Sequence, residues 1–432
     1  MSDGIKVKQF ERMLPVIITY DGGKVDVSGA MSVLSIKEDI FTPSLSAKMA
    51  VIDTTDSLGP VDFDGTEIFQ ISFKSLNEDD RIINLKFRIF KVEITIDEAK
   101  NDVKVYTLHG VTPEHFKQSS MDINQSFKMP ISKAVQNVYD KLGSKRKIDI
   151  DKTTGSYTYI VPGMTPFEAM SFFQRRAYDS RHRASLFTFY ETVDGYNFKN
   201  IEKTIDKNRN DAIKYTYSPS ASLPSKVDPM FSIESLKTPN NKDVLKKIKS
   251  GAYANAVREI DLMNQRVNST EVRVKEDFKT FTHLDDTAMS LDSKAIIDEH
   301  LNTINSTKWI NNIGVDDKRK ELIPRRKFYF DCLSQVSLNC RVPGNSNLSV
   351  GQVIDLDMLE LSGFTEEKLQ EPKISGKYLI TRVNHLIQGQ VYTCTINCSK
   401  ESYRANVSRP DKSLVMKQSK SEQAPPPRIQ RN

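Results

Sequence analysis

The sequence has no uninterrupted apolar run long enough to cross a bilayer, and no apolar segment follows Met1-Ser-Asp-Gly-Ile-Lys6 as a signal peptide would require. Hydrophobic residues make up 38% of the chain and the mean hydropathy is −0.47, values typical of a soluble protein. We therefore expect a chain that folds in the cytoplasm where it is made, without stable membrane insertion. Its 432 residues exceed what one hydrophobic core serves, so two to four domains are expected.

Motifs of catalysis are missing as well. The chain has no Gly-x-Ser-x-Gly nucleophile turn, no His-Glu-x-x-His zinc pair and no Gly-x-x-x-x-Gly-Lys-Ser/Thr phosphate loop. His283 is followed closely by two carboxylates, Asp285 and Asp286, and we interpret the three residues as a loop or helix-start cluster rather than a metal or acid–base site. The sequence therefore predicts no catalytic residue, no metal ligand and no cofactor.

Cysteine is scarce, and all of it lies in the C-terminal part of the chain, at Cys332, Cys340, Cys394 and Cys398. Cys394 and Cys398 are four positions apart on a predicted strand, which places their thiols on one side but roughly 13 Å apart, too far for a disulfide or a shared metal. Reduced, buried thiols are the expected state. A zinc site with His385 as an extra ligand is the alternative, although Cys-x-x-Cys pairs are absent.

Little of the net charge lies in the body of the chain. Residues 405–432 contain six basic and two acidic residues, so +4 of the formal charge of +6 belongs to this segment and +2 to everything before it. A nearly neutral body does not provide the basic surface that DNA binding requires, which argues against a nucleic-acid-binding module. The segment itself has too little apolar content to fold alone and is predicted to be a flexible C-terminal tail.

Alternating strands are what the chain has in abundance. Near the C-terminus, period-two runs at 353–358, 375–383 and 392–398 predict a small antiparallel β-domain, with a turn at Pro343-Gly344-Asn345 and a hairpin connection at Gln388-Gly389-Gln390. One face of the last strand is predicted to carry Tyr392, Cys394, Ile396 and Cys398. A helix from about Pro324 to Ser334 and a strand at Val336–Val342 precede these runs.

Residues 15 to 111 also read as strands. The runs are 16–20, 31–37, 46–53, 67–73, 81–95 and 103–109. In the fifth run the apolar positions change phase after Ile89, from odd-numbered residues to Phe90, Val92 and Ile94, and this change predicts a β-bulge or corner.

The middle of the chain mixes helix and strand signals. Helices are predicted at 131–142, between Pro130 and Gly143, and at 166–178, after a capping box at Thr165. A hairpin at 186–198 is predicted to cover the apolar stripe of the second helix. Residues 215–325 are less regular, with a short helix at 242–249, a strand at 253–260 and a helix near 292–304.

Two pairs of short motifs indicate an internal duplication. Gly65-x-x-Ile68 and Gly351-x-x-Ile354 each open an alternating strand, and Val105-Tyr-Thr107 and Val391-Tyr-Thr393 each open a later one at the same offset. The alternative is coincidence, because strands everywhere favour valine, tyrosine and threonine. A duplicated chain in a trimer would present six similar units around the axis.

These motifs, in this order, resemble the tube domains of baseplate hub proteins of contractile-tailed bacteriophages and related injection machines. The C-terminal match runs from Gly351 through Gly376-Lys-Tyr-Leu-Ile-Thr-Arg-Val-Asn-His385, and the similarity spans most of residues 15 to 400. The other segments that carry it are Ser32–Ile40, Met49–Asp53, Asp64–Phe73 and Leu186–Phe198.

The resemblance implies an α+β, mainly β fold class with two similar antiparallel β-barrel tube domains and an intervening α/β region. The expected segments are a first tube β-barrel domain at 1–111, an α+β domain at 112–214, an irregular α/β insertion region at 215–325, a second tube β-barrel domain at 326–403 and the flexible tail at 404–432.

The resemblance also implies a structural role in the virion: the hub of a contractile-tail baseplate, assembled in the host cytoplasm. As a homotrimer it would form a pseudo-six-fold ring, a symmetry adaptor that joins the hexameric tail tube to the trimeric central spike and leaves a channel for DNA during genome ejection. Expected partners are the tail tube protein, the central spike protein and neighbouring baseplate proteins, with DNA only as translocated cargo. The exposed faces and edges around 67–109 and 352–398 would form the ring and its tube-facing side.

Two further expectations concern the spike and an alternative function. Because only residues 404–432 follow Tyr403, the spike is expected to be a separate chain, with the tail as a candidate contact. The alternative function is a tail-associated cell-wall hydrolase with a catalytic region in 215–325, since a glycosidase needs only two positioned carboxylates in a cleft.

Overall fold

The structure is a computed structural model. It describes residues 10–11, 15–19, 21–75, 80–97, 103–181, 185–218, 228–238, 245, 248–249, 254–261, 265–288, 296–302, 325–327, 329–331, 333, 336–358 and 374–404. Within these ranges the chain is mainly β, as predicted, and no described helix is long and apolar enough to span a membrane.

Within the described ranges, twenty-four strands account for most of the regular structure. In chain order they are β1 (Phe10–Glu11), β2 (Val16–Ile18), β3 (Lys24–Asp26), β4 (Met31–Asp39), β5 (Ser46–Asp53), β6 (Ile68–Ser75), β7 (Ile83–Asp97), β8 (Val103–Val111), β9 (Ile123–Met129), β10 (Ile148–Ile150), β11 (Tyr157–Met164), β12 (Phe187–Thr192), β13 (Gly195–Asn200), β14 (Ile213–Tyr217), β15 (Ser235–Lys237), β16 (Ala254–Asp261), β17 (Arg266–Arg273), β18 (Thr287–Ala288), β19 (Ile296–Asn302), β20 (Val336–Pro343), β21 (Val353–Met358), β22 (Gly376–Gln388), β23 (Val391–Lys400) and β24 (Ser402–Tyr403).

The described helices are fewer. They are α1 (Pro113–Ser119), α2 (Ile131–Leu142), α3 (Pro166–Gln174), α4 (Ile201–Asn208) and α5 (Val274–Asp277), with 3-10 turns at Pro229–Phe231 and Phe278–Thr280. Residues 245, 248–249, 325–327, 329–331 and 333 are also helical, in agreement with the predicted helices at 242–249 and 324–334.

Fourteen strands form one sheet with the order β15-β20-β23-β22-β4-β5-β8-β7-β6-β2-β3; β1 pairs with β6, β21 with β22, and β14 with β21. The sheet is continuous because β4 pairs with β22, from Asp39 opposite Arg382 to Val33 opposite Gln388. Among the described strands, β15 and β3 are the ends of this order, and β1 and β14 end its branches. An isolated bridge between Thr216 and Ser232 joins the end of β14 to the segment before β15, but no continuous ladder closes either half. The two closed barrels expected from the resemblance are therefore not confirmed.

The predicted strands of the N-terminal part are confirmed, and so is the predicted irregularity of β7. Inward-facing residues of β6 and of the first half of β7 are fully buried, while alternate positions are more exposed. The β7–β8 ladder shifts register between Ile89 and Lys91, where the apolar phase changes. The extra residue, Phe90, is 54% exposed.

The C-terminal strands are also confirmed, with one correction. Tyr392, Cys394, Ile396 and Cys398 share a fully buried face, and Gly389 takes a positive φ in the β22–β23 connection. The predicted turn at 343–345 is wrong: Pro343 still pairs with Thr393, and the turn comes at 346–347. The reason lies in Gly344, where a Cβ would come within 2.2 Å of the Tyr392 ring, so this glycine permits a close approach rather than a turn.

The pairing order supports the predicted duplication. The order β5-β8-β7-β6 in the first half matches β20-β23-β22-β21 in the second, and every pair is antiparallel. Both central strands carry a bulge, after Ile89 in β7 and after Ile380 in β22. In each case the isoleucine N–H donates to a carbonyl just before the neighbouring strand, at 2.9 Å, to Glu67 and Gln352 respectively.

These shared features correct the alignment of the repeats. When the bulges are superposed in register, His109 corresponds to Asn397 and Ile68 to Val353. The sequence motifs therefore lie close to equivalent positions but miss them, the Tyr-Thr pairs by two residues and the isoleucines by one. Short motifs of this kind are easily misaligned by one or two residues, because valine, tyrosine and threonine recur along each strand.

Residues 123 to 198 build a second hydrophobic core, separate from that of the large sheet. Helix α2 matches the prediction at both ends, with Pro130 before it and Gly143 in the left-handed conformation after it. The capping box is present: the Thr165 hydroxyl accepts from the Glu168 N–H, and the Glu168 carboxylate accepts from the Thr165 N–H. Phe167 of α3 packs on Phe189 of the hairpin, as predicted, with ring centroids 5.7 Å apart.

The insertion region contains a strand where a helix was expected. The predicted strand at 253–260 is confirmed as β16, which pairs with β17 and, in parallel, with β19. The helix predicted near 292–304 is wrong for its described part, because 296–302 is β19. The free edge of β16 and the β-branched pair Ile296-Ile297 favour strand pairing over the local helix signal.

Candidate interaction surfaces

The seam where β4 meets β22 carries a shallow polar cavity of about 440 Å³. Alternation explains its composition: Leu34 and Ile36 of β4 face the core, so Lys37 and Asp39 face the opposite side of the sheet. Both halves of the chain contribute to the lining, which consists of Lys37, Asp39, Thr42, Ser44, Ser46, Asn339, Arg382, Asn384, Thr395 and Asn397.

Short polar contacts close the seam on this side. The Arg382 guanidinium donates to the Asp39 carboxylate, from Nε at 2.9 Å, and the Ser35 hydroxyl donates to the Asn384 amide oxygen at 2.7 Å. Since Asp39 neutralises Arg382, Lys37 leaves the lining with one net positive charge. Amides, hydroxyls and one cation suit a hydrogen-bonding contact surface rather than a cleft that activates a nucleophile.

A buried glutamate lies on the inner side of the same seam. Glu38 accepts hydrogen bonds from the Val193 N–H at 2.8 Å, the Ser349 hydroxyl at 2.8 Å and the Val350 N–H at 3.2 Å. Burial raises the pKa of Glu38, and these donors partly oppose the rise. The residue thereby ties the first repeat, the 187–200 hairpin and the second repeat together.

Two further buried carboxylates belong to the α+β segment: Glu191 attaches it to the sheet, and Glu202 accepts from the Ser185 N–H within the segment. Glu191 accepts from the Leu45 N–H at 2.9 Å and the Thr112 hydroxyl at 2.7 Å, and lies 3.1 Å from the Arg146 guanidinium. Burial raises the pKa of Glu191 to about 7 and that of Glu202 to about 8. Their partners are backbone and hydroxyl donors from other elements, as expected for structural cross-links.

The far end of β7 is the most apolar exposed part of the described sheet. Phe90, Ile94 and Ile96 are each more than half exposed. Val92, Ile94 and Ile96 continue the face that is buried along the first half of the strand, so the core side of the sheet reaches solvent here.

The histidine cluster lies in a loop, as interpreted from sequence. His283 stacks on Phe278 with ring centroids 4.1 Å apart, and burial lowers the pKa of its imidazole. Asp285 accepts from the Lys377 N–H at 3.0 Å, at the start of β22, and burial raises the pKa of its carboxyl. Asp286 is exposed, so the three residues have three different environments.

Three cysteines are free and buried, which confirms the predicted reduced thiols; Cys332 lies outside the described residues. Cys394 Sγ is 3.4 Å from His385 Nδ1, which in turn is 2.8 Å from the Tyr392 hydroxyl. Burial lowers the pKa of His385 to about 3 and raises that of Cys394 to about 11, so both are neutral near pH 7. The part of the chain that is described contains no cluster of three metal-ligating residues.

The sequence reasoning missed the buried glutamates. A signal for Glu38 existed, because it shares the inward face of β4 with Leu34 and Ile36. Glu191 follows no such simple pattern, since all of β12 is buried. Glu202 lies on α4, where it is buried beside Ile201 and Ile205. The tail at 405–432 lies outside the described residues.

Comparison with known structures identifies the fold. A tail protein of Neisseria meningitidis MC58 matches 90% of this chain and 97% of its own, with a TM-score of 0.53 and 10% sequence identity. The 43 kDa tail protein of prophage MuSo2 from Shewanella oneidensis matches over 90% and 99%, with a TM-score of 0.57 and 7% identity. No protein-family model and no curated protein sequence matches. The predicted resemblance to phage tail proteins is confirmed at the level of the fold.

Proposed function

We propose, from the fold that the chain shares with phage tail proteins, that it is the structural hub of a contractile-tail baseplate. In this proposal three copies form a pseudo-six-fold ring that joins the hexameric tail tube to the trimeric central spike. Neighbouring baseplate proteins contact its outer surface, and DNA passes through the axial opening. The location is the virion tail, after assembly in the host cytoplasm, and the chain acts without catalysis or cofactor.

One observation carries the proposal: the strand order and the bulge are repeated in two halves of a single sheet. Equivalent halves present similar surfaces at two positions of one chain. Since closed homo-oligomers repeat one surface around an axis, three such chains give six similar positions. A ring of this kind can contact a six-fold partner on one side and a three-fold partner on the other.

The seam surface fits the role of a contact face within such a ring. Its lining comes from both repeats, so equivalent polar groups would recur around the axis. The five-segment division of the chain belongs to the same proposal, with residues 1–111 and 326–403 as the ring-forming parts. Two separate cores, one under the large sheet and one within residues 123–198, agree with several segments.

The hydrolase alternative receives no specific support from the described residues of 215–325, which include the strands β15 to β19, the short helix α5 and the loop that contains His283. Zymography on peptidoglycan separates the two functions. A clear zone from the purified chain would overturn the structural proposal, and its absence at concentrations that give activity with lysozyme supports it.

Native mass spectrometry of the chain with the central spike protein of the same particle tests the proposed role. The expected species contains three copies of each, and the chain contributes three times its 49.1 kDa. A 1:1 or 6:3 complex would contradict the proposal, because neither supplies six repeats on a three-fold spike.

A further inference from the structure

The two repeats differ at one edge, and the difference indicates what is missing there. The bulges align Ile89 with Ile380, so residues 91–97 of β7 correspond to 382–388 of β22. We call residues 91–97 the β7 end. Its equivalent in the second repeat pairs with β4 along its whole length, whereas no described strand pairs with the outer edge of the β7 end.

Equivalent residues of the two repeats also differ in their exposure to solvent at this edge. His385 and Ile387, which lie opposite Ile36 and Leu34 of β4, are 1% and 0% exposed. Their equivalents in the β7 end, Ile94 and Ile96, are 55% and 54% exposed. An apolar edge that is covered in one repeat and open in the other points to a covering strand from outside the chain.

Strand β15 has the position in the second repeat that β4 has in the first. It pairs antiparallel with β20, as β4 pairs with β5, and the ladders align Lys237 with Ser35 and Leu236 with the buried Leu34. The outer edge of β4 covers β22. In the described chain no strand pairs with the outer edge of Ser235–Lys237; the contact with β14 lies just before it, where the Ile233 N–H donates to the Thr216 carbonyl at 2.9 Å.

We infer that β15 of a second copy of this chain pairs antiparallel with the β7 end. The intramolecular ladder fixes the register: Lys237 lies opposite Thr95, as Ser35 lies opposite Leu386, and Leu236 lies opposite Ile96, as Leu34 lies opposite Ile387. This inference rests on the proposed ring and names the edge through which the ring closes.

Charge supports this register. In the intramolecular seam, the Ser35 hydroxyl donates diagonally to Asn384. The equivalent diagonal pair across the proposed interface is Lys237 and Glu93, of opposite charge, and Lys237 is exposed. Within the chain, Glu93 already binds the flexible side chain of Lys91, which leaves its second oxygen 3.6 Å from His109 Nε2.

The contact joins two different edges, so it is head-to-tail. Each copy offers one β7 end and one β15, and an open chain of copies always leaves one of each unpaired. Closure into a ring satisfies both edges of every copy. The β3 edge at the opposite end of the sheet takes no part in this arrangement.

Disulfide trapping tests the register directly. The double variant Thr95→Cys/Lys237→Cys is oxidised at micromolar concentration, and its products are separated on non-reducing gels. The control is the double variant Thr95→Cys/Lys24→Cys, whose second cysteine lies on β3, at the opposite end of the sheet. We expect covalent dimers and trimers from the first variant, at least tenfold more than from the second. Equal or reversed yields would overturn the inference.

A second pair of variants measures the apolar contact by light scattering. Ile94→Glu with Ile96→Glu is expected to convert the oligomer to monomer, while Ile160→Glu, at an isoleucine 63% exposed on β11, leaves the mass unchanged. An oligomer that survives the double substitution would overturn the proposed edge. If that oligomer is still a trimer, the hub proposal stands and only the edge is wrong; if the unaltered chain is monomeric both alone and with the spike, the ring itself fails.

Discussion

At the scale of single residues, buried glutamates hold the parts of this protein together. Glu38 and Glu191 accept hydrogen bonds from segments distant in sequence, Glu202 accepts from the Ser185 N–H within the α+β segment, and each of the three is almost fully buried. A buried acceptor is costly to remove because its donors lose their partners without gaining water. Glu38 and Glu191 therefore contribute to stability at the junctions between segments, and Glu202 contributes within the α+β segment.

Replacement of Glu38 by alanine should destabilise the protein strongly. Two backbone N–H groups and the Ser349 hydroxyl lose their acceptor inside the core. We expect a loss of about 2–4 kcal/mol in the free energy of unfolding, measured by urea denaturation. Asp206→Ala, at a carboxylate 49% exposed, is the control and should change stability by less than about 1 kcal/mol. Equal effects would contradict the role of Glu38.

The raised pKa of Glu202 predicts a pH dependence of stability. Burial raises the pKa from 4.5 in the unfolded reference to about 8 in the folded state, so the folded state binds the proton more tightly. The contribution is complete below pH 4.5 and is lost as the pH rises through 8.

We therefore expect the free energy of unfolding to fall by several kcal/mol between pH 5 and pH 8 through this group. Glu202→Gln, which stays neutral, should make the curve flatter in that window. Denaturant midpoints at several pH values measure it, and identical slopes for the two proteins would show that Glu202 does not titrate in the folded state.

At the scale of elements, Gly344 lets the chain that follows β20 pass close to the ring of Tyr392. The Tyr392 ring occupies the place where a side chain at 344 would lie. Gly344→Ala should therefore cost about 1–3 kcal/mol in thermal or chemical unfolding, since the fully buried tyrosine cannot move away. Gly29→Ala, which has open space around it, serves as the control and should be nearly neutral. A neutral Gly344→Ala would mean that the turn region adapts.

Elements with strong local signals were predictable from sequence. Helix α2 is bounded by a proline and a glycine, a capping box marks the start of α3, and a change of apolar phase at Ile89 marks the bulge in β7. Each signal acts within a few residues. The strand β19 was not predictable, because its partner β16 lies far away in sequence and overrides the local preference.

The pairing of β4 with β22, which joins the two repeats, could not be predicted from the sequence, for a related reason. Nothing in Val33–Asp39 specifies that the outer edge of β4 pairs with β22, since backbone groups make that ladder and all residues share them. Buried Glu38 was detectable from its face, but its three donors come from loops whose positions depend on the whole fold. Local patterns predict strands; they do not predict which strands meet.

At the scale of the whole molecule, one chain contains two similarly connected sets of strands in one continuous sheet. The seam between them is polar on one face and apolar on the other, with Glu38 at the buried side. If copies meet as the halves meet, the same sheet continues from chain to chain around an axis. Three chains then supply six equivalent positions, and the difference between a six-fold tube and a three-fold spike is absorbed inside each subunit.

An end-on averaged image of the assembled particle, with the chain identified by a label fused at its N-terminus, tests this account most directly. The account predicts one continuous ring with six similar lobes and three labels. A ring with six labels, or three labelled lobes separated by gaps, would contradict it.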